Sequence, residues 1–194
     1  GYPISERQIS RAKKIESIKS KKVVVNGGLW LGDPDIDAIT RLTNPIDVTG
    51  YIRNDNFALE KDTWCPFNSQ NTALARETIP SYFLSPHIGR FDDIWASYFT
   101  KRVADYFDDA ISFGFPLVKQ DRNDHNLWHD LELEIFGNQN TETFVGWLRS
   151  IQLTGKTYYD VSLNLLNELD KKLDEDHRLS NDEKNAFLKF FEGY

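Results

Sequence analysis

The chain of 194 residues contains no methionine and a single cysteine, Cys65. One thiol cannot close an internal disulfide, so nothing covalent staples the fold, and this usage fits a reducing compartment, read here as cytoplasmic. No stretch approaches the roughly 18 consecutive apolar residues that a membrane-spanning helix needs. The first residues do not read as a secretory leader. Basic residues are the minority, 23 Lys and Arg against 30 Asp and Glu, for a net charge of −7. No basic tract is long enough to wrap a nucleic-acid backbone. The densest run, from Arg11 to Lys22, reads as a solvated face, with a local phosphate-attracting patch as the sharper alternative. Also missing are a G-x-S-x-G elbow, a P-loop and a G-x-G-x-x-G turn, and Cys65 lies between Trp64 and Pro66 with no histidine nearby, which argues against a nucleophilic thiol. The chain starts at Gly1-Tyr2-Pro3 and reads as a piece of something longer.

What is present belongs to a globular domain. Apolar residues make up 40% and charged residues 27%, enough for one packed core. Thirteen Phe, eight Tyr and five Trp supply ring faces for that core and for sugar or nucleotide sites. Residues 6–20 read as a short helix or irregular connector. Lys22 to Val25 is a β-branched strand ending in an Asn26-Gly27-Gly28 turn. A short helix is expected over 35–42, capped by Asp33 or Asp35 with Pro34 in its first turn. Hairpin-like segments are expected around Tyr51-Ile52 and Phe57-Leu59, and a strand followed by a turn over Phe67–Arg76. Glu77 to Phe83 reads as a short helix or loop. From Asp92 a helix places Trp95, Phe99, Val103 and Tyr106 or Phe107 on one face. Residues 110–118 form a strand that empties into the polar loop 119–126. Helices then follow at 127–136, 140–153, 157–175 and 180–192, the last opened by a Ser180…Glu183 capping box. The expected class is α/β, a mixed sheet with a helical C-terminal tail, divided at 1–137 and 138–194.

Four polar groupings carry the chemistry. Asp33-Pro34-Asp35-Ile36-Asp37 alternates carboxylates as a hard-cation site does, but Ala38 and Asn44 stand where an EF-hand loop needs Gly and Glu. Asp92-Asp93 opens a helix, where the dipole favours negative charge; one carboxylate is free to act as a base while Arg90 pairs with it or binds a phosphate. The plainer reading is a cap plus a surface ion pair. His125 and His129 have a one-turn helical spacing that suits a metal, although no third ligand is evident. Asn68, Gln70 and Asn71 need partners if buried, so they suit either a hydroxyl-rich ligand or a hydrogen-bonded turn.

Taken in order, Gly1-Tyr2-Pro3-Ile4-Ser5-Glu6-Arg7, Gly28-Leu29-Trp30-Leu31-Gly32-Asp33-Pro34-Asp35-Ile36-Asp37-Ala38 and Gly89-Arg90-Phe91-Asp92-Asp93-Ile94-Trp95 resemble the reversibly glycosylated polypeptides, the plant UDP-arabinopyranose mutases. Asn68 to Thr72, Asp93 to Trp95, Arg122-Asn123-Asp124-His125 and Asp130-Leu131-Glu132 also resemble the STELLO group of glycosyltransferase-like proteins. The likeness covers roughly residues 1–135 and implies the acceptor-side, C-terminal part of a GT-A glycosyltransferase fold. It implies a glycosyltransferase or sugar-nucleotide mutase working on a nucleoside diphosphate sugar, UDP-linked, with a hydroxyl acceptor and a divalent cation, Mn or Mg. On that resemblance Asp92 and Asp93 are catalytic, and Arg7, Trp30, Asp35, Asn68, Gln70, Asn71 and Arg90 bind substrate. His125 helps hold the metal. The D-x-D half is not in this sequence, so the missing half or another subunit is an expected partner. The competing expectation is a non-catalytic carbohydrate-binding or scaffold protein on a degenerate glycosyltransferase fold.

Overall fold

The computed structural model of the chain describes residues 2–6, 15–16, 21–52 and 55–194. Its strands and helices run β1 (Ile15–Glu16), β2 (Val23–Gly32), α1 (Ala38–Thr43), β3 (Phe57–Leu59), β4 (Thr72–Leu74), α2 (Asp92–Tyr106), β5 (Ala110–Gln120), α3 (Leu127–Ser150), α4 (Tyr158–Glu175) and α5 (Asn181–Phe191). The expected α/β class holds: one mixed sheet in the order β1-β3-β5-β2-β4, then a helical C-terminal region. β2 and β5 are parallel neighbours, and the other pairs are antiparallel. Among the described residues no helix is long and apolar enough to cross a membrane.

Several local expectations are corrected. β2 does not turn at Asn26-Gly27-Gly28 but continues to Gly32. The glycines are there for close approach. A Cβ on Gly27 would sit 3.0 Å from the Phe113 ring, and one on Gly28 would sit 2.4 Å from the Asn71 side-chain nitrogen. The FNSQNT stretch is also inverted relative to expectation: the turn comes first and strand β4 follows. Asn68 accepts from the Gln70 N–H at 3.2 Å, and the Thr72 hydroxyl donates to the Asn68 carbonyl at 2.6 Å, an Asx-type turn. Tyr51-Ile52 forms no strand; the Tyr51 hydroxyl instead donates to the Trp30 carbonyl at 2.9 Å. The cap of α1 is Asp37, which accepts from Thr40 N at 2.8 Å. Asp33 and Asp35 are drawn off by Arg41 and Arg122, at 2.7 and 2.8 Å.

α2 buries Trp95, Phe99 and Val103 completely, as its spacing requires. Trp95 is the hub of the helical layer. Its ring stacks on Phe144 at 4.6 Å and on Phe187 at 5.0 Å, meets Phe190 edge-on at 5.3 Å, and its indole N–H donates to the Thr141 hydroxyl at 3.0 Å. One side chain thereby joins α2, α3 and α5. A second cluster beneath the sheet holds Val24, Val25, Phe67, Ile111 and Phe113. The capping box of Ser180 and Glu183 forms as expected.

The two helices expected at 127–136 and 140–153 are one helix, α3. Gly137, where the sequence places the end of the first unit, lies inside it. A Cβ there would sit 2.0 Å from the Phe91 ring, so the glycine serves contact with α2's approach rather than a break. Gly137→Ala should therefore destabilise the protein. Alanine recovers at most about 1 kcal/mol of helix propensity, while overpacking a buried ring costs about 1–3 kcal/mol or more. Urea unfolding should show a lower midpoint, and an unchanged or raised one would refute the close packing.

Candidate active site

The helical layer fixes α2 rigidly, and α2 begins at the rim of a cleft of about 840 Å³. Three kinds of wall enclose it. The floor is apolar: Phe57 and Phe113, stacked at 5.7 Å, with Phe67 and Trp64 nearby. One side comes from β2 and the following loop, which bring Trp30, Asp35 and Asp37. The other comes from the start of α2 and the turn before it, which bring Arg90, Asp92 and Asp93, with Asn68 and Gln70 across the mouth. Trp30, Asp35, Asn68, Gln70, Arg90, Asp92 and Asp93 thus line a single cavity.

Asp93 is the best-defined group in it. Its Oδ2 accepts the Ser69 backbone N–H at 3.0 Å and the Ser69 hydroxyl at 3.3 Å, which ties the amide turn to the helix start. Burial pushes its carboxyl above the usual range, and the nearby Asp92 and Asp35 charges add to that, against the pull of the Ser69 N–H. Asp92 sits beside it in the first turn. Below the pair, the Tyr82 ring stacks on Phe67 at 5.3 Å, and burial with the Asp93 and Asp92 charges holds its phenol neutral, far above the usual tyrosine range.

Among the described residues two guanidiniums reach the cleft, and both are already bound. Arg122 donates to Asp35 Oδ1 at 2.8 Å, while Asn68 donates to Asp35 Oδ2 at 3.2 Å. Arg90 donates through Nε to Glu134 Oε1 at 3.2 Å and lies 3.4 Å from Asp130. Glu134 also accepts the Ala38 N–H at 2.9 Å, and burial holds its carboxyl above the usual range. Arg122 and Glu134 are the residues that sequence reasoning left without a role. Only the fold brings Glu134, one turn after Asp130 on α3, against Arg90.

Two expected site residues stand elsewhere, and a third is not described. Asn71 is outside the cavity lining; its side chain donates to the Leu29 carbonyl at 3.0 Å and its carbonyl accepts from Gly28 N at 2.7 Å, so it seats the turn on β2. His125 precedes α3, whose cap is Asn126, so it does not share a helical face with His129. Its Nδ1 faces Asp130 at 3.3 Å, and among the described residues no three His, Cys, Asp or Glu side chains converge on a metal position. Arg7 lies outside the described residues.

The sequence profile of the reversibly glycosylated polypeptides matches residues 6–193. The chain belongs to the reversibly glycosylated polypeptide family. It is 28% identical over 148 residues to UDP-arabinopyranose mutase 3 of Arabidopsis thaliana, covering 73% of this chain and 35% of that protein. With UDP-arabinopyranose mutase 1 of the same plant it shares 28% over 160 residues, 79% of this chain and 42% of that protein. A probable UDP-arabinopyranose mutase 1 of Solanum tuberosum is 29% identical over 148 residues, 73% of this chain and 35% of that protein. The chain spans about a third to two-fifths of the length of these curated relatives. Within this member of the reversibly glycosylated polypeptide family, residues of the Gly28–Ala38 and Gly89–Trp95 stretches line the cleft, as do Tyr2 and Glu6. Those N-terminal residues are strapped down: Ser5 donates to Glu142 through its hydroxyl at 2.6 Å, and Glu6 pairs with Arg149.

Proposed function

We propose that the cleft holds the sugar of a UDP-linked substrate and that the chain takes part in a mutase or glycosyl-transfer reaction on it. The observation that carries this reading is Asp93. It is a half-buried carboxylate of raised basicity, facing the same cavity as an amide turn and an aromatic floor, in a family whose named relatives are UDP-arabinopyranose mutases. Asp93 takes the proton from the attacking hydroxyl as that oxygen bonds to the anomeric carbon. The bond from that carbon to the diphosphate oxygen breaks, and the diphosphate leaves with the electron pair. A base at the right height of basicity contributes about 10²–10⁴-fold. Asn68 and Gln70 hydrogen-bond ring hydroxyls, and Trp30 packs on the ring's apolar edge. Arg90, expected to meet phosphate, here holds Glu134 and the first turn of α3 in place. In this reading a divalent cation on the diphosphate takes its protein ligands from beyond the described residues.

The test is incubation of the chain with UDP-arabinopyranose in the presence of Mn or Mg, followed by chromatography of the nucleotide sugars. A new UDP-sugar, lost in Asp93→Asn, supports the reading. Saturable sugar binding with no product under any condition supports the non-catalytic carbohydrate-binding alternative instead. Arg122→Met should weaken sugar binding about 3–10-fold, because Asp35 then loses its cation and Asn68 its oriented partner. Calorimetry measures this, and an unaltered Kd would remove Asp35 and Asn68 from the site.

A further inference from the structure

One stretch of the cleft lining has no strand or helix to hold it. Thr63, Trp64, Cys65, Pro66, Phe67 and Asn68 all line the cavity. They run in irregular backbone between β3, which ends at Leu59, and β4, which begins at Thr72. This segment is tied to α2 at both ends. At its far end Ser69 donates to Asp93, in the first turn of the helix. At its near end the tie is a buried ion pair, roughly two turns further along α2. Lys101 and Asp105 stand one helical turn apart, are 1% and 3% exposed, and pair with each other. Each also bonds to one and the same turn. Lys101 Nζ donates to the Glu60 carbonyl at 3.2 Å, and Asp105 Oδ2 accepts the Asp62 N–H at 3.1 Å. The Glu60 carbonyl accepts the Thr63 N–H at 3.1 Å as well, which closes the turn. Asp62 sits there at a φ of +59°, a left-handed conformation that costs a residue with a side chain free energy unless its surroundings hold it.

We infer that Lys101 and Asp105 are positioning residues for the cleft: through the Glu60–Thr63 turn they hold the 63–68 lining in register with Asp93. This rests on the sugar-site reading above and deepens it. As a device for stability alone the pair is a poor choice. Burial pulls the Lys101 ammonium below its usual range and pushes the Asp105 carboxyl above its own, against their mutual attraction. Apolar residues of similar volume often replace such pairs without loss of stability. What apolar residues cannot supply is a donor and an acceptor presented together to one turn. One rigid helix thus carries Asp93 at its start and this clamp roughly 12 Å along its axis. The lining between the two ties cannot slide along α2 without breaking one of them. A ring held by Asn68 therefore meets Asp93 at a fixed separation, and separation is what a reaction between bound groups depends on.

Variants of the full chain test this by separating stability from binding. Lys101→Met alone strands a buried carboxylate and should melt well below the parent. Lys101→Met/Asp105→Ala removes both charges and should melt within about 4 °C of the parent. It should nevertheless bind UDP-arabinopyranose about tenfold more weakly in calorimetry, because the lining is no longer held. A pair that served only the fold would leave affinity intact once stability is restored. Hydrogen exchange gives a reading that needs no ligand: the Asp62 N–H should exchange slowly in the parent and fast in the double variant, and the Trp64 indole signal should move. Lys101→Met/Asp105→Leu, which fills the space more fully, takes the place of the alanine pair if that pair does not fold. A folded double variant whose Kd stays within about twofold of the parent overturns the inference and leaves the sugar-site reading standing. An Asp62 N–H that exchanges freely in the parent also overturns it. UDP-arabinopyranose that fails to bind the parent overturns the sugar-site reading instead, and the clamp is then decided by the Asp62 exchange and the Trp64 signal.

Discussion

Asp93→Asn is expected to lower sugar turnover by about 10²–10⁴-fold and, at neutral pH, to raise stability. The two effects share one cause. In the folded protein burial and the neighbouring Asp92 and Asp35 hold the Asp93 carboxyl above its ordinary range. The folded state therefore binds this proton more tightly than the unfolded chain does. Any stability from that difference is fully present at acid pH and is lost as pH rises through the ordinary carboxylate range to the folded value. Above that window the ionised carboxylate is a cost, which asparagine removes while its carbonyl keeps an acceptor for the Ser69 N–H. Thermal melts across pH read this directly. The variant and the parent should coincide at low pH and diverge as pH rises, with the variant higher. A variant that loses stability at neutral pH would mean that Asp93 is there to hold the turn.

Trp95→Ala is the substitution with the largest expected effect on stability. Removing a fully buried tryptophan costs about 3–5 kcal/mol, against a total of about 5–15 kcal/mol for a domain. Here the ring joins three helices through Phe144, Phe187 and Phe190, so neighbours from α3 and α5 face the void. The indole N–H is spent on Thr141, which then loses its donor. Trp95→Phe keeps most of the ring contact and should cost less, about 1–2 kcal/mol, from the lost hydrogen bond and a smaller cavity. Urea unfolding of both variants orders them. Equal losses would mean that the stacking contributes little and the hydrogen bond dominates.

Much of this arrangement was legible from residues alone, for reasons that differ by element. The α2 face was readable because Trp95, Phe99 and Val103 repeat at helical spacing, and that periodicity is what the core needs. The convergence of the Trp30 loop, the amide turn and Asp92-Asp93 followed from motif order rather than from pattern. What misled was local chemistry with two meanings. Asn26-Gly27-Gly28 has the composition of a turn, but its glycines make room for Phe113 and Asn71 inside a strand. Gly137 has the look of a break, yet it admits the Phe91 ring. Asn71 was grouped with Asn68 and Gln70 because all three are amides in one run, but adjacent residues in a turn face different ways, and only two face the cleft. His125 and His129 have helical spacing, but Asn126 caps the helix between them. Glu134 gave no sequence signal, since its role depends on α1 and Arg90 arriving from distant parts of the chain.

The most direct test of a shared sugar site at Asp93 and the amide turn is to titrate isotope-labelled chain with UDP-arabinopyranose and follow backbone and indole N–H signals. Saturable shifts should concentrate on the Ser69 amide, which donates to Asp93, and on the indole N–H of Trp64, a residue that lines the cavity. Saturable shifts confined to the far helices α4 and α5, with Ser69 and Trp64 unmoved, would contradict it.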